Sequence, residues 1–406
     1  MTRRRIAITA LIAAASVLAA VLLLVVGIWI GGRNAEVVPA PLRAALVGSD
    51  EQIVVREALN DISDTYYRKL PPGQLANDAI GGAVKNLNDR FSNYFTPAQY
   101  EKFEDSQNSR FTGIGVTVDS TKRGLLIRSV YKGSPAKEVG IESGDQIIAA
   151  DGKSLKGLTT EEASELVKGP AGTKVKLTVL HEGEERTVYA TRRAISVPVV
   201  ASALKTVCGK KIGIVALSQF SSGAHAEVYA ALEKLKRRGA KAYIFDLRNN
   251  GGGLVDEAQL VASAFISSGP IVTTRGRSVP TRTLRATGSP VVPKAPLVVL
   301  TNGGTASASE IVAGALQDSG RATLVGEKTF GKGVFQQVLE LSNGGALDIT
   351  AGQYFTPKGR NLGGKGVSQG AGLRPDLLVK QPRDSRSDVA LKAALAKLGC
   401  GRSVTK

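Results

Sequence analysis

Thr305-Ala306-Ser307-Ala308-Ser309-Glu310, followed further along by Phe330-Gly331-Lys332-Gly333, is the stretch from which the rest of the chain is read. The apolar run Pro296–Leu300 ahead of it predicts a buried strand, and Ile311–Leu316 behind it a helix. Ser307 is thereby expected at a strand-to-helix turn, where the first N–H groups of the helix lack intrahelical partners and face outward. Such a turn exposes a hydroxyl and surrounds it with donors suited to a developing oxyanion. Ser307-x-x-Glu310 also has the form of a capping box, the commoner use of this pattern. Ser309 competes as a nucleophile, but it lies deeper in the helix, where its hydroxyl is expected to bond backbone. If Lys332–Gln336 is extended, side chains 332, 334 and 336 share one face, and Gln336 can accept a hydrogen bond from the lysine. A lysine removes a serine proton only when neutral, so its ordinary pKa of ~10.4 must fall by burial. Phe330, Val334 and Phe335 are the apolar neighbours expected to supply that burial.

The bulk properties narrow the choices. A chain of 406 residues holds two or three domains, and 43% hydrophobic residues allow a sizeable core. The net charge of +18 points to anionic surroundings, either nucleic acid or an anionic lipid surface. No nucleic-acid motif is present, and Lys210-Lys211 and Lys236-Arg237-Arg238 read as solvated faces, so no nucleic-acid partner is expected. His181 and His225 are the only histidines and read as ordinary surface residues. Cys208 and Cys400 are the only cysteines and lack metal-ligand spacing. A zinc site or a His-based triad has little material here, and no cofactor or metal is expected.

At the N-terminus, Arg3-Arg4-Arg5 precedes the apolar stretch Ile6–Ile30, long enough to span a bilayer at about 20 residues. This predicts a single transmembrane helix, a membrane-bound protein, and an extracytoplasmic face for everything after Gly32; a cleavable signal is the alternative, with Val38-Pro39-Ala40 a poor cleavage site. In that oxidising compartment Cys208 and Cys400 are expected to pair. Residues 1–34 form the tip and anchor, and 35–106 a linker and helical region. Within the latter, Ile53, Val54, Ala58 and Ile62 make a helical stripe, Ala79–Leu87 a second helix, and Asp89–Phe95 a turn with aromatic anchors.

From Phe111 the period changes to strands and turns. Gly113-Ile114-Gly115-Val116 is a glycine-flanked loop entering a strand. Leu125-Leu126-Ile127, Gly144–Ile148, a helix Thr159–Lys168 and a closing hairpin follow. This order resembles a PDZ domain of the circularly arranged kind found in bacterial proteases, over residues 107–193. The resemblance implies that the Gly113–Gly115 amides receive a peptide's terminal carboxylate and that the peptide adds as a strand beside Gly115–Val118.

Residues 194–382 alternate strand and helix: Ile212–Leu217, Ala226–Leu235, Ala242–Leu247, the loop Arg248–Gly253, a helix Val255–Ser267, then the opening stretch and Gly333–Leu341 with Ala346–Tyr354. This is an α/β layered fold with mixed strands, closed by a C-terminal helix and tail in 383–406. Together these features resemble the C-terminal processing peptidases, or tail-specific proteases. The resemblance implies a crotonase-like layered core with an inserted PDZ domain. It implies Ser307 as nucleophile, Lys332 as base and Gln336 as its support, with the Gly253 and Ala308 amides as oxyanion hole and Arg192 coupling peptide binding to activity. It also implies protein substrates with unstructured apolar C-termini. Self-association as a homo-oligomer stays an open option.

Overall fold

The computed structural model describes residues 15–23, 25–27, 49–364, 369–382 and 387–399. Among the described residues no helix is long and apolar enough to cross a membrane. This corrects the single transmembrane helix expected over Ile6–Ile30. Of that stretch only residues 15–23 and 25–27 are described as helix, each far short of the about 20 residues a span requires; the remainder lies outside the described residues.

The chain divides into two compact units, Met1–Ala83 and Val84–Lys406. The first contains the helix Asp50–Thr65, opened by a Ser49 capping box with Gln52.

The second unit carries the layered α/β architecture. Its centre is a six-stranded sheet in the order Val200–Val207, Lys210–Leu217, Ala242–Asp246, Leu297–Thr301, Thr323–Gly326, Leu377–Leu378. The first pair is an antiparallel hairpin and every later neighbour is parallel. Parallel neighbours require crossovers: the helices Ala224–Arg237, Val255–Ser263 and Ala308–Asp318 supply the first three, and the strands Val334–Glu340 and Ala346–Phe355 lie in the fourth. Side chains alternate between two cores. Val215, Tyr243, Phe245 and Val299 face these three helices, whereas Ile212, Ile244, Val298 and Leu300 face the terminal helix Val389–Gly399. Because both faces are covered, these strands read as continuous apolar runs.

A second sheet, antiparallel, orders Asn93–Phe95, Ala346–Phe355, Pro270–Gly276 and Arg282–Arg285, with Val334–Glu340 also pairing to Ala346–Phe355. The segment read as an aromatic turn is thus partly a strand: Asn93, Tyr94 and Phe95 lie opposite Asp348, Leu347 and Ala346. Pairing partners this distant in sequence leave no local signal.

A separate module resembles a PDZ domain. Five strands, Val116–Thr121, Gly124–Val130, Gln146–Ala150, Lys174–His181 and Glu184–Thr191, enclose a separate core around Ile114, Leu125, Ile147 and Leu177. Arg110–Gly113 pairs with Arg193–Ser196, so entry and exit strands tie the unit at its base.

Candidate active site

The buried strand Leu297–Thr301 delivers the chain to a sharp elbow before the helix Ala308–Asp318. Two anchors form it. The Thr305 hydroxyl donates to Leu247 O (2.9 Å) and accepts the Asn302 amide (3.0 Å). The Ala306 amide donates to Asn250 O (3.0 Å). Ser307 is left at φ 56°, ψ −119°, a conformation side chains avoid and local anchoring must hold. Strain of this kind is how a nucleophile elbow projects its hydroxyl. Ser307 is half-buried, whereas Ser309 is fully buried and donates its hydroxyl to Asn250 O (2.8 Å). The competing serine is therefore committed to backbone.

Asn250 builds the facing loop. Its side chain donates to Leu217 O (2.8 Å) and accepts the Gly252 amide (2.9 Å). The loop then lies against the elbow so closely that a Cβ on Gly252 would sit 2.7 Å from Ser307 Cβ and 2.9 Å from Ala308 N. At Gly253 a Cβ would meet Phe220 O at 2.3 Å. Glycine is required at both positions for contact reasons as well as for their positive φ. Among the described residues, neither the Gly253 nor the Ala308 amide donates a backbone hydrogen bond; Ala308 follows Ser307 directly, and Gly253 follows the glycine that packs against it.

Lys332 is brought to the elbow by one carboxylate. Glu310, fully buried, accepts the Ser307 amide (3.0 Å) and the Lys332 amide (2.9 Å) on Oε2. On Oε1 it accepts the Gly331 amide (2.8 Å) and the Thr329 hydroxyl (2.5 Å). Burial pushes the Glu310 carboxyl above the usual range, against the pull of these four donors. The sequence shows Glu310 only as a helix cap, because its other partners come from a segment the fold alone brings near.

Lys332 Nζ donates to Gln336 Oε1 at 2.6 Å. The expected route to this pair, a regular alternation along an extended segment, does not hold. The strand begins at Val334, and a bulge between Phe335 and Gln336 shifts the register. Burial holds the lysine below its ordinary pKa, while the nearby charges of Asp348, Asp89 and Glu310 oppose the shift. The ring centred 4.9 Å from Nζ is that of Phe91, a residue the sequence reading did not place here. Burial likewise pushes the Asp348 carboxyl up.

In the PDZ unit, Gly113, Ile114, Gly115 and Val116 line an apolar groove with Val118, Leu125 and Val167. Gly115 has φ +80°, and a Cβ there would fall 2.4 Å from Ser134 Cβ. Arg192 is buried within this unit. It donates to Val167 O (2.9 Å), at the end of the groove helix Thr160–Val167, and to the Thr173 hydroxyl (3.0 Å), and faces Asp151 at 3.7 Å. The two histidines are not bare surface residues: His181 pairs with Asp145 (2.6 Å) and His225 with Glu257 (2.9 Å).

Comparison with known proteins agrees with this architecture. The model described as Peptidase family S41 matches residues 211–378, and a PDZ domain model matches residues 126–180. A carboxyl-terminal-processing protease of Synechocystis sp. is 39% identical over 337 residues, covering 80% of this chain and 77% of that protein. The carboxy-terminal processing protease CtpA of Bacillus subtilis is 36% identical over 327 residues, covering 80% and 69%. A putative S41 protease from Bacteroides fragilis superposes with a TM-score of 0.51 over 85% of this chain and 98% of that one. Its 18% identity speaks to the fold alone. With relatives this similar along most of its length, and with both modules matched in place, the chain belongs to peptidase family S41, as a carboxyl-terminal-processing serine protease with a PDZ domain.

Proposed function

We propose that this protease works through a Ser307–Lys332 dyad. Neutral Lys332 takes the Ser307 proton as the hydroxyl attacks the scissile carbonyl, and returns it to the leaving amine. The Gly253 and Ala308 amides receive the oxyanion, each donor worth about 3 kcal/mol of barrier. Gln336 holds the amine. The observation that carries the reading is the Lys332 Nζ–Gln336 Oε1 bond of 2.6 Å on a lysine whose backbone shares a carboxylate oxygen with that of Ser307.

Substrates are proteins with unstructured, apolar C-terminal tails, caught as an added strand in the Gly113–Val116 groove. The apolar lining of that groove supports this. Arg192 is the residue by which tail binding reaches the core. Its bond to the end of the groove helix supports that role. The protein works outside the cytoplasm, as its disulfide-bonded Cys208 supports; the other cysteine, Cys400, lies outside the described residues. The test is digestion of a substrate with and without its apolar tail. Ser307→Ala and Lys332→Ala abolish cleavage, and Ser309→Ala retains it. Activity in Ser307→Ala with loss in Ser309→Ala moves the nucleophile.

A further inference from the structure

We propose that the turn Asp89–Ser92, which precedes the PDZ unit in the chain, is a positioning device for the base: it determines which end of the Gln336 carboxamide faces Lys332. The inference rests on Lys332 being the base.

The two ends of a carboxamide have nearly the same shape, and hydrogen-bond partners alone select one. The choice matters for a lysine base. With Oε1 toward Nζ, the neutral amine donates one N–H and keeps its lone pair for the serine proton. With the amide turned over, Nε2 donates into that lone pair, and the amine cannot accept. Gln336 sits in the first arrangement, with Nε2 donating to Thr350 Oγ1 at 3.1 Å. Thr350 must then offer a lone pair to Gln336 and send its own hydroxyl hydrogen elsewhere.

That hydrogen is directed from further out. Ser92 is buried, and its Oγ lies 2.6 Å from Asp89 Oδ2. A carboxylate only accepts, so the single Ser92 hydrogen goes to Asp89. Ser92 therefore turns a lone pair toward the Thr350 amide, which donates to it at 3.0 Å and holds Thr350 beside the same carboxylate, so that the Thr350 hydroxyl hydrogen also goes to Asp89. Each hydroxyl has one hydrogen, so the anion at the far end sets the direction of every bond up to Gln336. Burial alone raises the Asp89 pKa, but hydrogen bonds from Ser92, Thr350 and the Phe91 and Ser92 amides outweigh it. The group is held ionised below its ordinary value.

The turn is fastened where this needs it. Asp89 Oδ1 accepts the Phe91 amide (2.9 Å), and the strand that follows, Asn93–Phe95, pairs with the strand carrying Thr350. The same turn lays the Phe91 ring 4.9 Å from Lys332 Nζ. One short segment thus both covers the amine and orients its partner.

The experiment is a set of double-mutant cycles on the full chain, read by steady-state cleavage of a tailed peptide and corrected for folded fraction by thermal melting. Asp89→Asn and Ser92→Ala each lower kcat at least tenfold with KM within twofold. In a Gln336→Ala background each has less than a twofold further effect, because there is no carboxamide left to orient. Thr350→Ser keeps the hydroxyl and retains activity; Thr350→Val loses it. Losses that multiply with Gln336→Ala, or that fall on KM, overturn the relay. If Ser92→Ala does not fold, the near-isosteric Asp89→Asn carries the cycle. Retained cleavage in Lys332→Ala removes the base reading itself; a dead Lys332→Ala beside multiplying losses removes only the relay.

Discussion

Replacing Glu310 by glutamine changes little in shape and tests how the site is assembled. The carboxylate accepts four hydrogen bonds, two on each oxygen, from Ser307, Thr329, Gly331 and Lys332. A glutamine must put an NH₂ where two of those donors point. On the Oε2 side it would oppose the Ser307 and Lys332 amides, neither of which can turn. On the Oε1 side it opposes the Gly331 amide and the Thr329 hydroxyl, whose oxygen already accepts the Leu373 amide at 2.7 Å. The second orientation is cheaper, and it leaves the buried Gly331 amide without an acceptor. One unsatisfied buried donor costs about 1–3 kcal/mol, and the surviving bonds lose their charge assistance. Glu310→Gln is therefore expected to lose about 2–4 kcal/mol by denaturant unfolding. It is also expected to lose about 10–100-fold in kcat, since a shift of order 1 Å at Gly331–Lys332 misplaces the amine. KM for a tailed peptide stays near its original value. A Glu310→Gln enzyme with unchanged unfolding midpoint and unchanged kcat would refute the idea that this carboxylate clamps the two halves of the site.

Lys332→Arg is expected to abolish cleavage, because a guanidinium stays protonated, while the parent's kcat/KM rises with pH through the lysine's depressed pKa. The same depression carries a stability signature. Between the folded pKa and the ordinary 10.5 the unfolded chain holds the extra proton, so stability rises with pH there, and Lys332→Met removes that slope in pH-dependent melting. Gly252→Ala places a Cβ 2.7 Å from Ser307 Cβ at φ +107° and is expected to lower kcat at least 100-fold with about 2–4 kcal/mol of destabilisation, read by kinetics and melting. Gly115→Ala, 2.4 Å from Ser134 Cβ, is expected to weaken tail-peptide binding by calorimetry while an untailed peptide is cut as before. Thiol titration of the unfolded, unreduced chain is expected to find no free thiol, consistent with the bonded Cys208.

What could be read from the sequence was local. Apolar runs marked Ala242–Asp246 and Leu297–Thr301 because both faces of the central sheet are covered. The glycine and turn signals of the PDZ unit follow from contacts within about 90 residues of chain, and there the order of elements matches the reading closely. What was missed depends on distance in sequence. Ser92 meets Thr350 across 258 positions, and no pattern near either residue announces it. Glu310 looked like an ordinary cap because capping and clamping use the same residue at the same spacing. Val200–Val207 and Arg282–Arg285 went unread because each lies at the outer end of its sheet, where alternation is diluted by polar side chains.

The surroundings of Lys332 explain why a neutral residue occupies position 336. Three carboxylates, Asp348, Asp89 and Glu310, act on the amine through space, yet burial dominates and the pKa falls. None of the three makes a hydrogen bond to Nζ among the described residues; the bonded partner is the uncharged Gln336 at 2.6 Å. An anion at that distance would attract an ammonium by about 6 kcal/mol at an effective dielectric of about 20, enough to raise the amine's pKa by several units. Such a lysine would stay protonated at neutral pH and could not act as a base. Amide and carboxylate side chains are nearly equal in size, so the space would admit either. The amide alone orients the amine without charging it, at the cost of having two ends that something else must tell apart. If Lys332 is the base, as proposed, the site needs both the burial supplied around Lys332 and a fixed chain of donors behind Gln336.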